Sequence, residues 1–230
     1  MAARPSNRME PSSPDLGPLP GGHHGLSREQ VAESQRERLL AALAHTVAAN
    51  GYGATTITEI VKAASVSSRD FYESFDSKED CFLAAFDAVV AHLRELASAA
   101  AAPVPDWPGQ VVAALRAALD FFAAEPDLAR LCLVEPVTAS PPIATHFRDV
   151  VVAGIPYLKA GRAERPEGAS LPPSTEDSLL GGLIALTARS LLSGEDGALE
   201  RLAPDLVDFA LSPYVGPARA KELARTALPS

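Results

Sequence analysis

Apolar residues recur along this chain at intervals of three and four, the spacing of helices that bury one face. Leu39, Leu40, Leu43 and Val47 mark a first long helix that ends at Asn50-Gly51, residues tolerant of a left-handed C-cap. Ile57, Ile60, Val61 and Ala64 form a tighter stripe, and Phe71 and Phe75 lie one turn apart soon afterwards. From Ser77, a run of Phe82, Phe86, Val89, Val90, Leu93 and Leu96 predicts a long helix reaching the Ala99–Ala102 run, broken by Pro103, Pro105 and Pro108. Further helices are predicted over Gly109–Ala124, Asp127–Glu135, and from about Ile143 with a kink at Pro156. Residues 161–175 read as a Gly/Pro/Glu loop. Helices over Thr175–Ser193 and 198–214 and a short terminal one complete an all-α pattern with few period-2 runs.

The stretch Thr55–Lys78, TTITEIVKAASVSSRDFYESFDSK, is denser in signals than any other. Thr56 with Glu59, Ser67 with Asp70, and Ser77 with Asp80 each repeat the capping-box pattern, a hydroxyl for an orphan N–H and a carboxylate three residues on. Three helix starts so close together leave room for helices of only two or three turns. Ala64-Ser65-Val66 supplies a turn with Val66 as its apolar plug. Helix, short turn and helix make the helix-turn-helix, whose second helix enters the DNA major groove.

Thr55-Thr56, Ile60 to Ser67, Phe71-Tyr72-Glu73-Ser74-Phe75 and Ser77-Lys78-Glu79 closely resemble the DNA-binding segment of the TetR (tetracycline repressor) family. The resemblance covers roughly residues 35–90 and is looser over the rest. It implies a three-helix DNA-binding domain over 27–76 and a larger helical effector-binding and dimerisation domain over 77–230. Ser68 and Arg69 would read bases, with Arg69 bidentate to guanine. Thr55, Thr56, Ser67, Tyr72, Ser74 and Lys78 match positions along the DNA side, several of them phosphate-holding. Two acids depart from the family pattern: Asp70 where a threonine is common, and Glu73 where an aromatic or another polar residue is frequent. Both would repel phosphate, unless Asp70 is held in its own capping box or accepts from cytosine N4.

The resemblance also implies that the last two major helices pair with their mates in a four-helix dimer interface, with Gly181, Gly182, Leu186, Arg189, Leu206 and Phe209 in it. The adjacent glycines, costly in a helix interior, suggest close backbone approach; the plainer alternative is that these helices finish the monomer core. An apolar cavity between head and dimer helices is implied too. Trp107, Phe121, Phe122, His146, Phe147 and Tyr157 are the candidates to line it, or simply to fill the core.

Charge argues the other way. The chain carries −9 overall: residues 27–80 hold six Lys/Arg against nine Asp/Glu, residues 81–230 hold twelve against eighteen, and residues 1–26 balance. A nucleic-acid binder usually shows a basic face, so weak non-specific affinity is expected. Arg36 and Arg38 read as part of a solvated face, with phosphate contact as the alternative. Residues 1–26, rich in Pro and Gly, read as a disordered leader, or as an arm placing Arg4 or Arg8 in a minor groove; Ser27 then caps the first helix.

Cys81 and Cys132 make no disulfide framework and suit a reduced, cytoplasmic protein. No apolar run approaches the length of a membrane span. Nucleophile-elbow, phosphate-loop and zinc-helix motifs are lacking, and His45, His92 and His146 stand alone. No enzyme, cofactor or metal is therefore expected. The partners expected are double-stranded operator DNA, a second copy and a small, mostly hydrophobic effector that releases a repressor. The alternative is an all-α small-molecule-binding or interaction protein whose helix-turn-helix is only structural.

Overall fold

The computed structural model describes residues 28–226, so the leader, the arm arginines and the Ser27 cap lie outside the described residues. No strand occurs among the described residues. Helix α1 (Arg28–Asn50) closes on Gly51, whose φ of 78° is the left-handed conformation that a glycine adopts without strain. Helices α2 (Ile57–Ala64) and α3 (Ser68–Ser74) follow, and Ser65 makes the turn between them at φ 53°. The long helix α4 (Lys78–Ala101) leads into the body.

Capping explains why such short helices hold. Thr56 and Ser67 each accept from the backbone N–H three residues on, while Glu59 and Asp70 reach back to the cap's own N–H. The third start differs: Ser77 accepts from Asp80 N–H, but the Asp80 carboxylate accepts from Asp76 N–H instead of closing a box.

In the body, α5 (Trp107–Ala124) begins earlier than predicted, because Pro108 sits in its first turn, where no N–H is needed. Helix α6 (Pro126–Leu133) and a 3-10 turn at Glu135–Val137 precede α7 (Pro141–Val152). The kink expected at Pro156 is a break at Ala153-Gly154, and Pro156 opens a separate short helix, α8 (Ile155–Lys159). The expected loop at 161–175 contains two 3-10 turns, Ala160–Ala163 and Pro166–Ser170. Helices α9 (Thr175–Ser193), α10 (Ala198–Val215) and α11 (Pro217–Thr226) complete the fold.

One apolar core runs from the head into the body without a seam. Leu39, Leu43, Ile60, Phe71 and Phe82 share it with Phe122, Leu131, Ile143 and Leu206. Polar links cross the same boundary. Glu135, buried on the 3-10 turn, accepts from Tyr52 N–H at 2.8 Å. Ser140 donates to Glu79 at 2.6 Å, and His45 meets Asp127 at 2.9 Å.

At the far end of the body, a buried carboxylate holds the segment that sequence periodicity left blank. Glu176, 2% exposed, receives Arg162 Nε and Nη2 at 2.7 and 2.8 Å and the Tyr214 hydroxyl at 3.0 Å. Arg162 also donates to the carbonyls of Leu171 and Pro172. The Arg162 hydrogen bonds hold the Glu176 carboxyl below the usual range, and burial pushes the Tyr214 phenol up.

Candidate nucleic-acid interface

On α3, Phe71 is buried in the head while Ser68, Arg69, Tyr72 and Glu73 are exposed. The capped N-terminus thus presents the base-reading candidates Ser68 and Arg69 outward. Arg69 Nε donates to Glu73 Oε1 at 2.8 Å, one turn along, with the two side chains 86% and 59% exposed. Asp70 does not face outward as a free acid: one of its oxygens accepts both the N–H and the hydroxyl of Ser67, at 2.8 and 2.7 Å. These bonds hold the Asp70 carboxyl below its ordinary value.

Several phosphate candidates are otherwise engaged. Thr55 is buried, and its hydroxyl donates to the carbonyls of Thr46 and Gly51; it closes the α1–α2 turn instead of facing DNA. Lys78 is turned inward, donating to the Tyr52 and Thr55 carbonyls at 2.7 Å each, 4.1 Å from the centre of the Tyr52 ring. Burial lowers its pKa. Its charge serves the carbonyls of a turn that no backbone donor reaches, which a linear reading assigned to phosphate. Thr56 and Ser67 remain exposed, but their hydroxyls donate to Glu59 and Asp70. Ser74 is half-buried.

Of the two arginines read as part of a solvated face, Arg38 is exposed, while Arg36 is half-buried and anchors the head. Arg36 donates to the Ser74 carbonyl at 3.0 Å and stacks 4.3 Å from the Phe75 ring centre, and Arg38 donates to the Ala64 carbonyl at 3.3 Å. The signal available was a cation opposite the uncapped carbonyls at the ends of α2 and α3. The cations that stay exposed on α2 and α3 are Lys62 and Arg69.

The six effector candidates do not converge. Trp107 donates its N–H to the Tyr157 carbonyl at 2.9 Å and packs edge-on to Tyr214, while a Cβ on Gly161 would lie 2.2 Å from its ring. That corner is filled. The Tyr157 side chain itself lies in solvent, the residue being 77% exposed. Elsewhere, Phe121 meets His92 of α4 edge-on and touches Phe122, which is buried. His146 bonds Asp87 at 2.6 Å, and both His146 and Phe147 pack edge-on to Phe86. The Phe121, His146 and Phe147 rings lie along α4, Trp107 packs in a separate cluster with Tyr214, and Tyr157 is at the surface.

Of the dimer candidates, Leu206 is fully buried in the chain's own core and has no surface to offer a partner. The glycine pair also divides. A Cβ on Gly182 would lie 2.7 Å from the Phe209 ring, so an aromatic ring of the same chain, not a backbone, makes the close approach; Gly181 faces open space. Leu186 is half-buried, Arg189 exposed, and Phe209 39% exposed. Beside Phe209, a groove of about 470 Å³ is lined by Leu179, Asp205, Asp208, Ser212 and Pro213. Cys81 and Cys132 are buried, and burial pushes both thiols up to about 12.

Residues 39–85 match the family of bacterial regulatory proteins named for tetR. No curated protein matches the chain. Among solved structures, the chain is similar to the fatty acid degradation regulator FadR from Bacillus halodurans, with a TM-score of 0.68 and 16% identity over 79% of this chain and 95% of that one. FadR from Bacillus subtilis, solved in complex with stearoyl-CoA, gives 0.63 and 14% over 78% and 98%. A TetR family transcription regulator from Marinobacter aquaeolei VT8 gives 0.60 and 21% over 86% and 97%.

Proposed function

We propose that the chain is a DNA-binding transcription regulator of the TetR family, a dimeric repressor released from its operator by a small, mostly hydrophobic effector. The observation that carries the DNA-binding half is the outward face of α3, Ser68-Arg69 with Tyr72, raised on a capped and buried helix. Two such helices must sit about 34–36 Å apart to meet successive major grooves. The effector acts by its differential affinity for two spacings. The regulator would work in the cytoplasm; among the described residues no helix is long and apolar enough to cross a membrane.

Support for dimerisation comes from α9 and α10. Gly181, Ala185, Arg189 and Leu192 are exposed along one side of α9, and Phe209 stands beside them. Replacing Gly182 with Leu displaces Phe209 and should convert the dimer to a folded monomer in sedimentation. A folded Gly182→Leu dimer refutes this pairing.

Support for an apolar effector is the ring-rich seam between α4, α5 and α7 and the acyl-CoA held by one relative of the same fold. Footprinting on the chain's own upstream DNA, with and without hydrophobic compounds, tests both halves. Protection of two half-sites, lost on adding one compound, is the expected result. A second reading, a binding protein with a structural helix-turn-helix, draws on the acidic head and the inward-turned Lys78. Absence of salt-dependent retention on DNA would favour it.

A further inference from the structure

We infer that Glu73 sets sequence specificity through Arg69: it positions the guanidinium to read guanine, and its charge suppresses adhesion to DNA at large. The inference rests on α3 entering the major groove. A guanidinium is a planar fork of five N–H donors. Glu73 takes the Nε donor at 2.8 Å, and no other hydrogen bond or ion pair engages the Arg69 side chain among the described residues. The Nη1 and Nη2 donors remain, a pair that matches O6 and N7 of guanine.

The neighbours make this arrangement specific to the Arg69–Glu73 pair. Asp70, next in the chain, is hydrogen-bonded by Ser67 and acts on Arg69 through its charge, with no hydrogen bond to it. Arg36, Arg38 and Lys78 are hydrogen-bonded to the carbonyls of Ser74, Ala64, Tyr52 and Thr55, and Arg69 is the cation paired with Glu73. An exposed i, i+4 pair is weak in water, so its strength alone does not keep it closed. At DNA, however, releasing Arg69 to a phosphate would leave Glu73 unpaired against the same negative strand, and like charges in juxtaposition oppose it. The pair therefore stays closed, and Arg69 is committed to the bases.

The test selects duplexes from a random pool with the full chain, then compares wild type, Glu73→Gln and Glu73→Ala. Each is measured on the selected duplex, on that duplex with guanine replaced, and on unrelated DNA across a salt series. Wild type should require a guanine in each half-site, replacement weakening binding on the order of 10- to 100-fold. Gln keeps an acceptor for Nε and loses the charge. Its guanine preference should stay within about twofold of wild type, while binding to unrelated DNA rises and its salt slope steepens by about one unit. Ala frees the guanidinium, and its guanine preference should fall about two- to tenfold. Equal loss of preference in both variants, or loss in neither, overturns the positioning role. Selected duplexes without guanine overturn the inference and leave DNA binding standing. Failure to select any duplex overturns the DNA-binding reading, and this inference with it. Glu73→Gln is isosteric at an exposed site, so its failure to fold would also contradict a role confined to the groove face.

Discussion

The head and the far end of the body hold their polar groups in opposite ways. In the head, most carboxylate bonds close over three or four residues: Glu59 to Thr56, Asp70 to Ser67, Asp80 to Asp76, Glu73 to Arg69. All lie at the surface. At the far end, Glu176 is buried and joins Arg162, 14 residues before it, to Tyr214, 38 residues after it. Local bonds build the head's helices one at a time, the hydroxyl caps contributing about 1 kcal/mol each and the exposed Arg69–Glu73 pair little. The long-range triad instead fixes where three segments meet, and a buried ion pair is strongly destabilising to break from one side.

The largest expected effect is on that triad. Glu176→Ala removes the buried carboxylate that joins half-buried Arg162 to Tyr214, and should lower the unfolding free energy by about 3 kcal/mol in denaturant titration. A loss below about 1 kcal/mol would place the two regions on the same footing. Acid sharpens the comparison. The folded-state pKa of Glu176 is depressed by Arg162, so its contribution is fully present above the ordinary glutamate value, about 4.3, and is lost as pH falls through the lower folded value. The stabilities of wild type and Glu176→Gln should converge over that range and stay apart at neutral pH.

Lys78, like Arg36 and Arg38, departs from this local pattern, a cation reaching 23 and 26 residues back to two carbonyls. Lys78→Ala should cost about 1.5–3 kcal/mol, the size of hydrogen bonds from a charged donor, and leave the salt slope of DNA binding unchanged. A slope flattened by one unit with stability intact would mean that Lys78 swings out to phosphate. The smallest effect belongs to the caps. Thr56→Ala and Ser67→Ala should each remove about 1 kcal/mol, seen as faster amide exchange in α2 or α3 with the body unaffected. Exchange rising equally in α9 and α10 would show that the head is not a separate cooperative region.

The sequence by itself determined what is local. Helical period, hydroxyl-to-carboxylate spacing and the Ser65 turn fix α1 to α4, and the outward position of Ser68 and Arg69 follows from Phe71 and Phe75 facing in. Those signals act over one turn, where chain connectivity already brings the groups together. Tertiary structure alone decided which polar side chains stay free. Thr55, Arg36, Arg38 and Lys78 have the composition of a phosphate-binding set, but each donates to a carbonyl in another segment, 9 residues away for Thr55 and 26 to 38 for the cations. It also divided Trp107 and Tyr157 from the rings along α4, buried Leu206, and gave Gly182 its reason in Phe209. Residue type sets what a side chain can bond. Which carbonyl, ring or carboxylate it meets depends on packing between helices, and no spacing along the chain records that.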